Sequence, residues 1–136
     1  MSDDNIAILQ QFNESLIERG EIRWDLIDED VTVFDHDIPD SGDYHGHRGF
    51  EKWIVEDWGS AWESYTIEPE KMFEAADGVV VSVFTVVARG KGSGVEIKAR
   101  NATVNKFRDG RLKRVDYYTT EEEALEAAGA VDREQA

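Results

Sequence analysis

No cysteine occurs among the 136 residues, which removes disulfides, thiol nucleophiles and cysteine-ligated zinc together and says little about compartment. Basic charge is scarce: 15 Lys and Arg stand against 30 Asp and Glu, a formal net charge of -15. A field of that sign repels phosphate backbones and anionic lipid surfaces, so neither nucleic acid nor a membrane is expected as a partner. Long hydrophobic runs are missing as well; no stretch approaches the roughly 20 apolar residues of a membrane span. The opening MSDDNIAILQQF carries no basic region ahead of its apolar residues, unlike a signal peptide. A soluble, cytoplasmic protein is the expectation.

What is present can fill one core. Hydrophobic residues make up 40% of the chain and aromatics 10%, consistent with a single domain over residues 1–136 whose polar end, 131–136, frays. Ser2 or Asp3 can cap a helix with Ile6, Leu9, Phe12, Leu16 and Ile17 along one broad apolar stripe, stopped at Gly20. A short second helix carries Ile22, Leu26 and Ile27. DVTVFDHD then alternates as a strand, with Val31, Val33 and Asp35 on one face and Thr32, Phe34 and His36 on the other. After the turn-rich IPDSGDYHG, GFEKWIVEDWGSAW predicts a third helix. One face of it gathers Phe50, Trp53, Ile54, Trp58 and Ala61, and Asp57 falls on that same face.

Four strands follow as an antiparallel meander. SYTIEPEKMFEA is placed at an edge by Pro69, and VVVSVFTVVA reads as buried on both faces. GKGSG leads into VEIKARNATVNKF, and the Asp109–Gly110 hairpin leads into RLKRVDYYT, with Tyr117 facing in and Asp116 facing out. Thr120 with Glu123 forms a capping box for a short helix ended by Gly129. This order predicts an α+β fold in which a strongly curved antiparallel or mixed β-sheet wraps the N-terminal helices as a cone. A dead-end cavity between sheet and helices would suit a small apolar molecule.

The segment VFDHDIPDSGDYHGHRGF, residues 33–50, holds all three histidines and four aspartates. Asp35 shares a face with Val31 and Val33; buried there, its carboxylate would ionise less readily, as a general base near neutral pH requires. The competing role is a strand-end aspartate bonded to the following turn. Asp57 can project into the cavity or bond a tryptophan N–H, and Trp53 and Trp58 can form core or a wall on which a flat apolar ligand stacks. His36 reads as a partly exposed edge residue that a bulge would turn inward, while Tyr44 and His45 suggest a lid or rim. His45 and His47 bracket Gly46 in a loop rather than on a rigid element, so no metal is expected. GKGSG precedes no helix and cradles no phosphate.

The stretches DVTVFDHDIPDSGDYHGHRGFEKW, FEAADGVVVSVFTVVARGKGSGVEI and FRDGRLKRVDYYTTEEEALEAAG resemble the SnoaL-like branch of the nuclear transport factor 2-like superfamily. The resemblance spans nearly the whole chain but rests on turns, caps and packing residues. It implies a cone-shaped α+β barrel with a deep pocket, commonly a homodimer through the sheet face. Relatives include polyketide cyclases, ketosteroid isomerases, limonene epoxide hydrolases and dehydratases, so the fold leaves the reaction open. Asp35 sits where ketosteroid isomerases carry their proton-abstracting aspartate. Their enolate-stabilising donors correspond to Asn13 and Thr103, neither a strong acid, which argues against steroid isomerisation. Cyclases and epoxide hydrolases carry a working carboxylate near Tyr117, where this chain has a phenol able to donate to a carbonyl or to fill the cavity. The expected identity is a small-molecule pocket protein, either a cofactor-free acid–base enzyme with Asp35 and Tyr117 catalytic, or a binding or interaction protein without turnover. Asn13, His36, Tyr44, Trp53, Asp57, Trp58 and Thr103 are the expected ligand contacts.

Overall fold

A computed structural model describes residues 2–36, 44–76 and 78–135. Helix α1 (Ser2–Arg19) ends at Gly20, whose φ of +66° supplies the left-handed turn that a side chain would resist. Leu9 and Phe12 are buried, whereas Ile17 is exposed, so the inward stripe is narrower than its apolar pattern suggests. The expected second helix is reduced to a single 3₁₀ turn, Trp24–Leu26, because Ile27 already opens strand β1 (Ile27–Asp35). In β1, Val31, Val33 and Asp35 are buried and His36 beyond it is exposed, as alternation requires.

Strand β2 (Tyr44–His45) pairs antiparallel with β1 and feeds α2 (Gly46–Glu51). The helical path then widens into a π-type turn over Lys52–Trp58 and tightens to a 3₁₀ turn at Gly59–Ala61. Two glycines permit this route. A Cβ on Gly49 would stand 2.8 Å from the Tyr44 backbone, and one on Gly59 would stand 2.6 Å from the Ile54 carbonyl. Trp62, expected at the helix end, instead begins β3 (Trp62–Ala76).

Strands β4 (Val79–Gly90), β5 (Glu96–Arg108) and β6 (Arg111–Tyr118) complete a sheet of order β2-β1-β6-β5-β4-β3. All pairs are antiparallel except β1 with β6, and β3 is the edge, with its pairing register shifted at Pro69. Asp109 and Gly110, both at positive φ, make the β5–β6 turn. One face of the sheet packs on α1 and α2 through Leu9, Phe12, Phe50, Trp53, Val80, Phe84 and Tyr117. Burying each Leu or Phe of this kind contributes roughly 1.5–3 kcal/mol. The opposite face of β4 and β5 carries Val79, Val81, Val83, Ala102 and Val104, covered by α3 (Glu121–Gln135) through Ala124 and Ala128. This explains why VVVSVFTVVA is apolar on both sides. Thr120 Oγ1 accepts from the Glu123 backbone N–H at 3.1 Å and donates to the Glu123 carboxylate at 3.0 Å, so a side-chain bond stands in place of the second backbone bond of the expected box; α3 runs through Gly129 rather than stopping there, and the segment expected to fray is helical as far as Gln135.

Candidate functional site

Between α1, α2 and the concave sheet face lies a cavity of about 80 Å³. Its walls are mainly apolar, with Leu9, Phe12 and Leu16 from α1 and Phe50, Trp53 and Ile54 from the α2 segment. Asn13, Ser82, Thr103, Asn105 and Tyr117 add neutral polar groups. Among the described residues no charged side chain lines it. Asn13 also lines a groove of about 390 Å³ between α1 and β3 that holds Glu14, Glu18, Glu70 and Lys71, so the cavity and a charged outer groove share that residue.

The polar groups on the concave face follow from register. Ser82 pairs with Thr103, Thr103 with Tyr117, and Tyr117 with Asp35, so hydroxyl, hydroxyl, phenol and carboxylate form one row across β4, β5, β6 and β1. Neighbouring strands stand about 4.8 Å apart, so each member adjoins the next. Asp35 is 2% exposed and accepts a hydrogen bond of 2.8 Å from the Trp53 indole N–H. It is not among the residues lining the cavity, whereas its neighbours Trp53 and Tyr117 are. The carboxylate expected to face a ligand is thus engaged at the end of the row by the tryptophan expected to stack on one. Trp53 meets Tyr117 edge-on at 6.1 Å.

Other expected contacts lie elsewhere. Tyr44 is buried behind the α2 segment and does not line the cavity; its hydroxyl donates to Asp57 at 2.6 Å. Burial first, then this bond and the charges of Asp57 and Asp35, push the phenol pKa well up. Asp57 also accepts from Lys52 at 2.9 Å, and its carboxyl is held below the usual range, first by the Tyr44 hydroxyl and then by Lys52. It therefore ties helix to strand rather than projecting into the cavity. The Trp58 side chain lies outside the described residues, as does the stretch 37–43 of the turn-rich loop.

His36 lies on the outer face, stacked on Tyr118 at 4.4 Å with its Nε2 2.9 Å from Asp116. Asp116 does face outward but is only 2% exposed, because His36 and Arg114 (Nε donating at 2.7 Å) close over it. Burial and the Asp116 charge push the Tyr118 pKa up to about 12. His47 bonds the Ile27 carbonyl at 2.9 Å and packs on Trp24, while His45 is exposed near Asp30. The three imidazoles thus take separate partners. Ser82 and Asn105 were missed: Ser82 is a lone small polar residue in a strongly apolar strand, Asn105 is one of several polar residues in a mixed one, and only cross-strand register shows that they share a cavity.

A cone of sheet closed by two helical segments over an apolar cavity with a few neutral polar groups defines the class as a small α+β barrel of the nuclear transport factor 2-like type. The SnoaL-like domain family matches residues 11–115, and the chain belongs to that family. No curated protein matches it in sequence. Among solved structures, TerC co-crystallised with polyporic acid is similar at 17% identity and a TM-score of 0.72, over 90% of this chain and 98% of that one. A provisionally named SnoaL-like polyketide cyclase from Jannaschia sp. CCS1 is similar at 14% identity and a TM-score of 0.73, over 93% and 92% of the two chains. A protein of ketosteroid isomerase-like fold from Catenulispora acidiphila DSM 44928, in complex with trimethylamine, is similar at 17% identity and a TM-score of 0.69, over 90% and 92%. At these identities the likeness establishes the fold alone.

Proposed function

We propose that this chain binds a small, neutral, mostly apolar organic molecule in the cavity between α1, α2 and the sheet. The observation that carries this is the lining itself: apolar walls with five neutral polar side chains. A charged ligand would lose its hydration there and find no opposite charge. Size points the same way, since the cavity of about 80 Å³ is well below the about 150 Å³ that accommodates benzene. Two structural neighbours of the same fold hold small organic molecules, polyporic acid and trimethylamine.

Acid–base catalysis on that molecule is the second reading, favoured by the buried Asp35 carboxylate at the end of the Ser82–Thr103–Tyr117 row. It requires Trp53 to release Asp35 when the ligand enters. Homodimerisation through the sheet is part of the same proposal; the outer face over β1 and β6, with Phe34, His36, Arg114 and Tyr118, is the surface a second copy would cover.

The test is thermal unfolding with a panel of small neutral ketones, alcohols, lactones and amides. Saturating ligand at a hundred times its dissociation constant adds about 2.7 kcal/mol, a rise of roughly 10 °C at this size. Ile67→Trp, which fills the cavity from the edge strand, should abolish the shift while the protein stays folded. A panel without effect on wild type, or an undiminished shift in Ile67→Trp, contradicts the proposal. Asp35→Asn separates the two readings: binding persists in both, and turnover of a bound compound is lost only if Asp35 is the base.

A further inference from the structure

The amide of Asn105 has a fixed orientation. Its Nδ2 donates to the Val80 carbonyl at 3.2 Å and to Thr103 Oγ1 at 2.9 Å. A carbonyl oxygen can only accept, so the nitrogen must face Val80 and Oδ1 must turn the other way. Neither Asn105 Oδ1 nor Ser82 Oγ has a hydrogen-bond partner among the described residues, although the two residues are 2% and 3% exposed. Both line the cavity, so their unpaired atoms open onto it rather than being sealed in packing. Polar groups that face an interior cavity are nearly always paired, by ordered water or by a ligand.

Resting on the proposal that the cavity holds a neutral molecule, we infer that Ser82 and Asn105 anchor a hydroxyl group, and that the ligand class is a small aliphatic alcohol. Ser82 pairs with Thr103, so Asn105 is its diagonal neighbour across β4 and β5. Diagonal neighbours stand about 7–8 Å apart, a gap that one bridging oxygen closes between side chains of this length. A hydroxyl is donor and acceptor in a single atom. It gives its hydrogen to Asn105 Oδ1 and accepts one from Ser82 Oγ, with the Thr103 hydroxyl as a further donor. A ketone or ether of the same shape only accepts; it would place its oxygen against Asn105 Oδ1 and leave that acceptor unpaired. Such a site selects by the cost of the missing hydrogen bond.

2-Propanol, acetone and propane form a shape-matched series, smaller than benzene, for titration by NMR against wild type, Ser82→Ala and Asn105→Ala. The expected result is about tenfold tighter binding of 2-propanol than of acetone to wild type. Ser82→Ala should weaken alcohol and ketone alike, because the oxygen of either accepts from Ser82 Oγ. Asn105→Ala, checked for folding by circular dichroism, should bring the two near parity by weakening the alcohol alone. Equal binding of all three by wild type, or a preference that survives Asn105→Ala, overturns the anchor while leaving the cavity proposal standing. No binding of any member by wild type overturns both.

Discussion

Two buried carboxylates, Asp35 and Asp116, sit on opposite faces of the β1–β6 pair. Asp35 accepts from the neutral Trp53 indole, and Asp116 is bonded by the Arg114 guanidinium and the His36 imidazole. Removing a partner from a buried ion pair leaves an uncompensated charge, so Arg114→Met should destabilise by on the order of 3 kcal/mol in urea unfolding. The Tyr44–Asp57 bond carries a pH signature. Asp57 is depressed by the Tyr44 hydroxyl and by Lys52, so its stabilisation is complete above the unfolded carboxylate pKa, roughly 4, and is lost as pH falls through the lower folded value. Tyr44→Phe should therefore cost about 1.5 kcal/mol at neutral pH and measurably less in acid. Tyr118 works in the opposite direction. Its raised pKa, up to about 12, gives stability present below the ordinary tyrosine value of about 10 and lost as pH climbs towards the folded one. An absorbance titration should show late phenol steps, one of which disappears in Tyr118→Phe.

The α2 segment decides which tryptophan reaches the sheet. Its wide turn over Lys52–Trp58 turns Trp53 onto Asp35, and the close approaches at Gly49 and Gly59 fix where it enters and leaves. Gly49→Ala and Gly59→Ala should each destabilise by about 1–3 kcal/mol, since backbone atoms must move, and should shift the Trp53 indole N–H resonance. Elements specified by local pattern were legible in the sequence: the alternation of Val31, Val33 and Asp35, the Asp109–Gly110 turn and the Thr120 cap of α3. The widened turn was not, because a shift from i+4 to i+5 bonding leaves no mark in residue spacing. Nor was the passage of α3 through Gly129, where contact of Ala124 and Ala128 with the sheet sustains the helix. Within the site, alternation gave the faces of Asp35 and Tyr117, but not the partner of Asp35. That partner is 18 residues away in sequence and reaches it only through the wide turn.

At the scale of the whole molecule, the sheet separates two environments. The concave side encloses a neutral cavity, and the outer side over β1 and β6 gathers the charged and stacked groups around Asp116. A net charge of -15 adds long-range repulsion between copies, so the proposed dimer should tighten as salt screens it. Light scattering should give a mass twice that of one chain, more completely at high ionic strength.

The most direct measurement is a two-dimensional NMR titration of the uniformly labelled protein with 2-propanol, following backbone amides and tryptophan indoles together. The account predicts concentration-dependent shifts focused on Ser82, Thr103, Asn105 and the Trp53 indole, with the outer-face amides of Arg114 and Asp116 unmoved. Shifts confined to the outer face, or none at saturating alcohol, would contradict it.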